Sequence, residues 1–319
     1  MSITDRIDAI TLIPDEYRAT VLPAPKSVKI ELTGRCNLAC SFCALRTRTK
    51  QPKGDMDFAL FERVTREMRD AGVQEIGMFY LGESTMAPEK LVSGIDWCKN
   101  ELNFPYVFLT TNGTRCFPEL VDKMMSAGLD SLKFSVNAYN AHQFFELMGV
   151  SAKLWRNALT NIALAREVRD LRGYKCKIYA SSIQYDGEQL GKMQGLLDEK
   201  VLPFVDQHYW LPLYAQMTSV TSARAKELGF SPNAGNQGRV GALREPLPCW
   251  SAFMGGHLRA DGVLTACCFD PDGRFAMGDL KKISFMKAWN SQSFQDLRAA
   301  HLRKSVTGTI CEGCIAYAA

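Results

Sequence analysis

No stretch of the 319-residue chain is apolar for the roughly 18 residues a membrane-spanning helix requires. The opening residues, MSITDRIDAITLIPDEYR, hold no basic segment followed by an apolar one, so no secretory signal is legible. A large excess of charge of one sign is missing too: 38 Lys and Arg face 34 Asp and Glu, a net charge of +4 spread along the chain. That excludes the basic footprint of a nucleic-acid or anionic-membrane binder. There is no low-complexity tract and no internal repeat beyond a strand–helix unit. With 46% hydrophobic and 23% charged residues, the composition excludes a disordered, collagen-like or coiled-coil chain. A chain of this length buries about three quarters of its unfolded surface and folds without staples. These features predict a cytoplasmic protein with neither nucleic acid nor membrane as partner.

Cysteine is abundant instead, with 11 residues. In an unexported chain they read as thiols, metal ligands or catalytic groups rather than a disulfide framework. Cys98, Cys116 and Cys176 stand singly and read as small core residues. The rest fall into two groups: Cys36, Cys40 and Cys43 near the start, and Cys249, Cys267, Cys268, Cys311 and Cys314 near the end.

Residues 1–26 are polar and proline-bearing and read as an N-terminal extension. From Ser27 strands and helices alternate about six times, up to a last strand at Phe204–Trp210. The pattern predicts an α/β fold with a parallel sheet and covering helices. A full eight-fold barrel takes about 250 residues, and here the alternation stops near residue 212. We therefore expect a partial (β/α)6 barrel over 27–212. The polar, glycine-bearing stretch 213–248 reads as a linker or lid. A small Cys-rich domain over 249–319 follows, with a hairpin at Arg259–Val263 and a helix around Ser284–Arg303.

The first cysteine group is C-x3-C-x2-C directly after the first strand. Ligands in parallel α/β folds gather at the C-terminal ends of strands. Structural zinc takes four ligands, and no fourth Cys or His lies nearby. A four-iron cluster on three thiolates keeps one iron open for a small molecule. A zinc loop closed by a distant residue is the alternative.

The run Cys36-Asn-Leu-Ala-Cys40-Ser-Phe42-Cys43 resembles the signature of the radical S-adenosylmethionine (radical SAM) superfamily, with the aromatic residue in place. Leu81-Gly82-Glu83-Ser84 is similar to the family's Gly-Gly-Glu motif, with Leu81 in place of its first glycine. Thr110-Thr111-Asn112-Gly113, then Ser135 and Asn137, then Ser181 and Ser182 follow at successive strand ends. Any one of these reads equally as a helix cap; their order after the triad carries the resemblance, which spans 27 to about 212. It implies a [4Fe-4S] cluster on Cys36, Cys40 and Cys43. It also implies S-adenosylmethionine held by Phe42, Gly82, Glu83, Ser84, Asn112, Ser135, Asn137 and Ser182. The implied chemistry is one-electron cleavage to a 5′-deoxyadenosyl radical that removes hydrogen from a C–H bond, fed by an external donor such as flavodoxin or ferredoxin.

Cys249, Cys267, Cys311 and Cys314, with Gly262-Val-Leu-Thr-Ala-Cys267, resemble the family's SPASM auxiliary-cluster domain in its short twitch form. This implies a second [4Fe-4S] cluster; zinc on four thiolates is the alternative. Cys268 is a neighbour of a ligand, the ligand itself, or a catalytic thiol. His208, at the end of the sixth strand, is a candidate substrate contact. Peptide-modifying relatives carry a leader-binding domain for which 26 residues are too few, so a small polar molecule is the expected substrate. Twitch-type relatives imply oxidation of a secondary alcohol in a sugar or aminocyclitol, with the auxiliary cluster accepting an electron. A radical epimerase using a Cys hydrogen donor is the nearest alternative. Outside enzymology the competitor is a zinc-ribbon binding module, whose basic, aromatic-rich face is not found.

Overall fold

A computed structural model describes residues 1–43, 54–212, 238–242, 245, 247–268, 273–312 and 314. Strand and helix alternate as the pattern predicts. The strands are β1 (Ser27–Ile30), β2 (Glu75–Gly77), β3 (Tyr106–Thr111), β4 (Ser131–Ser135), β5 (Lys177–Ile183) and β6 (Gln207–Leu211). Between them lie α2 (Phe58–Asp70), α3 (Pro88–Asp96), α4 (Pro118–Ser126), α5 (Ala141–Met148), α6 (Ala152–Arg172) and α7 (Gly187–Lys200). All six strands pair in parallel, in sequence order. The result is the expected partial barrel.

Local chemistry sets the helix ends. The Asp57 carboxylate accepts from the Leu60 amide and caps α2. Phe61, Val64, Thr65 and Met68, at helical spacing, form its buried face. Pro118 opens α4 at a position where its missing N–H costs nothing. Gly149, at φ 64°, closes α5 in the left-handed conformation. Ser151 then caps α6.

The sheet does not stop at β1. Strand β7 (Gly255–Leu258) pairs in parallel with the other edge of β1, in the register Lys29 to His257. Antiparallel strands β8 (Val263–Thr265) and β9 (Ala276–Asp279) complete a nine-stranded sheet. The Asp261-Gly262 turn, with Gly262 at φ 82°, makes the expected hairpin. The single helix expected near Ser284–Arg303 is instead two, Phe285–Trp289 and Gln292–Leu302. The Asn290 side chain breaks it by pairing with both backbone groups of Leu22, at 2.9 and 2.8 Å, and Ser291 caps the second piece. Residues 213–237 of the expected linker or lid lie outside the described residues.

The first 26 residues are more than an extension. Helix α1 (Ile3–Thr11), capped by Ser2, packs Ile3 and Ile7 against Tyr179, Tyr209 and Leu211. Its Arg6 guanidinium lies 3.6 Å from the Tyr106 ring centre and pairs with Glu75 at 2.8 Å. Glu75 and Tyr106 open β2 and β3, so α1 plugs the N-terminal ends of the strands. We predict that Arg6→Met lowers the stability of the apo chain by about 1–3 kcal/mol. That is below the ~3–5 kcal/mol of a fully buried broken pair, because both groups keep some exposure. Urea denaturation measures it.

Candidate active site

The loop after β1 is fastened to the end of α5. The Ala39 amide donates to the Met148 carbonyl and the Ser41 amide to that of Leu147, both at 2.8 Å. The last carbonyls of a helix have no partner within it, and the cysteine loop uses two of them. A second clamp comes from β3. Asn37 donates to the Thr114 hydroxyl at 2.8 Å and accepts from the Asn112 amide at 3.0 Å. Cys36, Cys40 and Cys43 are thereby held at the C-terminal ends of the strands.

The three cysteines border a cavity of about 210 Å³ together with Phe42, Gly82 and Glu83. Asn112 closes it from β3, and Ser135 and Asn137 from β4. Gly82 is dictated by space, since a Cβ there would lie 1.9 Å from the Thr33 carbonyl oxygen. The Glu83 carboxylate is buried and accepts four hydrogen bonds. Thr85 supplies two at 3.1 and 2.9 Å, the Thr111 hydroxyl one at 2.9 Å, and the Asn112 amide one at 2.8 Å. It ties the ends of β2 and β3 together beneath the cavity. Burial pushes the Cys36 thiol up to about 12, so deprotonation there goes with binding of a cation.

Two residues predicted beside these are placed elsewhere. The Ser84 hydroxyl turns inward to the Met78 carbonyl at 2.6 Å and serves the local turn. Ser182 bonds His208 Nε2 at 3.0 Å. In register, Ser135 pairs with Ser181 and Ser181 with Tyr209. Paired residues share a face and neighbours alternate, so Ser182 and His208 lie on the face opposite Ser135. There His208 packs edge-on to Trp210, and burial lowers its pKa to about 4. Neither joins the cavity.

The second cysteine group gathers beside β7. The Cys311 thiol is pushed up by burial and further by its neighbours Cys267, Cys249 and Cys314, so the four expected ligands lie in one neighbourhood. Cys268 adjoins them; its thiol is drawn down by a hydrogen bond with Cys267 against the effect of burial. Among the described residues, no three Cys, His, Asp or Glu side chains already converge on a single point at metal distance. The fit of both groups to iron therefore lies in their donor chemistry: three thiols beside a polar cavity, and four thiols together.

Two residues were not legible in the sequence. Fully buried His301 accepts the Cys249 amide at Nδ1, 3.1 Å, and places Nε2 3.4 Å from Cys311 Sγ. An amide only donates, so Nδ1 carries the lone pair and Nε2–H points at the sulfur. Tyr80 lines the first cavity and donates to the Cys267 carbonyl at 2.9 Å. It bridges the two cysteine groups. Only partner positions in the fold reveal either residue.

A parallel partial barrel with three thiols at its strand ends, and a second cysteine group beyond the strand that extends its sheet, has the donor chemistry of an enzyme built around thiolate-held metal clusters. Residues 30–173 match the Radical SAM superfamily, and residues 249–315 match the SPASM iron–sulfur cluster-binding domain. The chain belongs to the radical SAM superfamily and carries a C-terminal SPASM domain. A GTP 3′,8-cyclase of Desulforamulus reducens is 28% identical over 134 residues, covering 41% of this chain and 40% of that one. A PqqA peptide cyclase of Methylorubrum populi is 32% identical over 128 residues, covering 40% and 32%. The chain thus matches well under half the length of these curated relatives. Among solved structures, Streptococcus suis SuiB bound to S-adenosylmethionine superposes with a TM-score of 0.66 at 16% identity, over 93% of this chain and 72% of that one. BtrN in complex with AdoMet and 2-DOIA gives 0.54 at 11%, over 86% of each. These superpositions establish the fold. The protein is a radical SAM enzyme, and its cofactors are S-adenosylmethionine and iron–sulfur clusters. No helix among the described residues is long and apolar enough to cross a membrane.

Replacing Cys36, Cys40 and Cys43 together by Ala is expected to remove about half the bound iron, as one of two four-iron clusters, and all formation of 5′-deoxyadenosine. Iron analysis and chromatography read both. Glu83→Gln places an NH2 group against donors that the carboxylate now accepts. We expect about 1–3 kcal/mol lower stability together with weaker S-adenosylmethionine binding, measured by thermal melting and equilibrium dialysis.

Proposed function

We propose that the enzyme removes a hydrogen atom from a C–H bond of a small polar, sugar- or aminocyclitol-like substrate and oxidises a secondary alcohol to a ketone. The observation that supports this reading is that buried Cys311 has Cys249, Cys267 and Cys314 as its charged neighbours. Four thiolates saturate a four-iron centre and suit it to electron transfer rather than substrate ligation. When bound, S-adenosylmethionine and the clusters supply hydrogen-atom abstraction and an acceptor for the second electron. The chain's own residues do the rest. The triad loop, clamped by α5 and Asn112, fixes the reacting end of the cavity. Gly82 lets the β2 loop approach the Thr33 backbone closely. Asn137 accepts from the Ile183 amide at 3.0 Å and so joins the cavity wall to β5. The apolar wall of Phe79, Phe134 and Phe144 limits access of water to the reacting carbon. A reduced flavodoxin or ferredoxin is the proposed electron donor, and the cytoplasm the proposed location.

Turnover of wild type and Cys268→Ala in deuterated water tests the reaction type. A product oxidised by two electrons, still formed by the variant, is the expected result. An isomer carrying one solvent deuterium at carbon, with a stalled variant, would mean a radical epimerase using the Cys268 thiol.

A further inference from the structure

Beside the auxiliary cysteines stands a histidine that the reading above leaves without a task. His301 lies in the last turn of the helix Gln292–Leu302 and is fully buried. One turn earlier on that helix, Arg298 donates to the Ala252 carbonyl at 2.9 Å. The helix is thereby fastened to the segment that follows Cys249. The Phe253 ring meets the imidazole edge-on, with ring centres 6.3 Å apart. This anchor and this packing fix where the imidazole sits.

The two ring nitrogens then face two of the four expected ligands. The Cys249 amide donates to Nδ1 at 3.1 Å, and Nε2 lies 3.4 Å from Cys311 Sγ. A lone pair at Nδ1 excludes the imidazolium, in which both nitrogens are donors. The ring is therefore neutral, with its one proton on Nε2 and aimed at sulfur. On its other side Cys311 is held by its own amide, which donates to the Thr309 hydroxyl at 3.1 Å. A thiol is a weak acceptor, whereas a bond to an ionised acceptor is roughly twice as strong as a neutral one. Both partners are buried, and the low local dielectric strengthens such a bond further. The contact therefore gains strength when Cys311 becomes a metal-bound thiolate.

We propose that His301 is a positioning residue of the auxiliary centre: one ring holds both the Cys249 backbone and the Cys311 sulfur, and its Nε2–H raises the reduction potential of the iron–sulfur cluster bound there. An added electron places more negative charge on the sulfurs, so a donor stabilises the reduced form more than the oxidised one. Hydrogen bonds to the sulfurs are among the factors that set such potentials. No proton is transferred, and the ring stays neutral throughout. A centre that is easier to reduce is a better acceptor for the second electron. The inference rests on the reading of this centre as the electron acceptor and deepens it.

The test is a redox titration followed by electron paramagnetic resonance. It uses the cluster-loaded full-length chain with Cys36, Cys40 and Cys43 replaced by Ala, so that the auxiliary signal is read alone. His301→Gln keeps an N–H donor near the place of Nε2, His301→Asn reaches only as far as Nδ1, and His301→Leu has neither. With about four irons per chain retained, the Leu and Asn variants are expected to be about tenfold harder to reduce, a fall of ~59 mV for one electron. His301→Gln is expected to regain most of that shift. If the Leu variant alone loses its iron, Asn against Gln decides. An unchanged potential in the Leu and Asn variants would overturn the proposal. So would an equal shift or a loss of iron in all three, which would leave His301 a purely structural role, and so would zinc in place of iron. The potential is read without substrate or turnover, so failure here is distinct from failure of the alcohol-oxidation reading, which product analysis decides.

Discussion

Strand β1 is hydrogen-bonded along both edges, to β2 on one side and β7 on the other. The site depends on this. The loop leaving β1 carries the first three thiols, and β7 leads into the hairpin that carries Cys267 and Cys268. One strand of four residues thus fixes the separation of the two cysteine groups. Were β7 paired elsewhere, Tyr80 could not line the cavity and also hold the Cys267 carbonyl.

The same pairing explains the mixed character of the interior. In a parallel sheet covered by helices, both faces are buried. Val28 and Ile30 meet the apolar core, while Lys29 turns to the lumen. Polar interior groups in such a fold are retained where a ligand will satisfy them or where they satisfy one another. Tyr106 with Ser131, and Lys133 with Tyr209, are of the second kind. His257 and Ser181 have no such partner.

Much of this was legible in the sequence, and the rest was not for identifiable reasons. The strand–helix alternation and the triad depend on local pattern and spacing, and both survive in the structure. The Gly82 position was legible as a motif, but its cause, the Thr33 carbonyl, was not. Lys29 in Ser27–Leu32 reads as an ordinary polar alternation, because sequence does not say that the polar face is the barrel interior. Helix α5 carries both end signals, the Asn140 cap and Gly149 after its last turn, but a strand–helix alternation needs only one helix between β4 and β5, and the longer α6 fills that place. Ser182 and His208 lie one step of parity away from the inner face, which their neighbours Ser181 and Tyr209 share with Ser135. His301 sits in the last turn of its helix with no motif around it, and only the approach of Cys249 and Cys311 gives it a role.

The plug at the lower mouth bears on the protein's motions. An isolated helix of nine residues is marginal in water, so α1 persists through its contacts with Tyr106, Tyr179 and Tyr209. Those contacts are few beside the ladders of the sheet. Local opening follows the weakest cooperative unit. The detachment of α1 is then a partial unfolding that costs less than loss of the sheet, and in amide exchange it would form a unit of its own. During each such excursion the barrel becomes a tube open at both ends, and its buried lysines meet bulk water from below while the cysteine loop above stays in place.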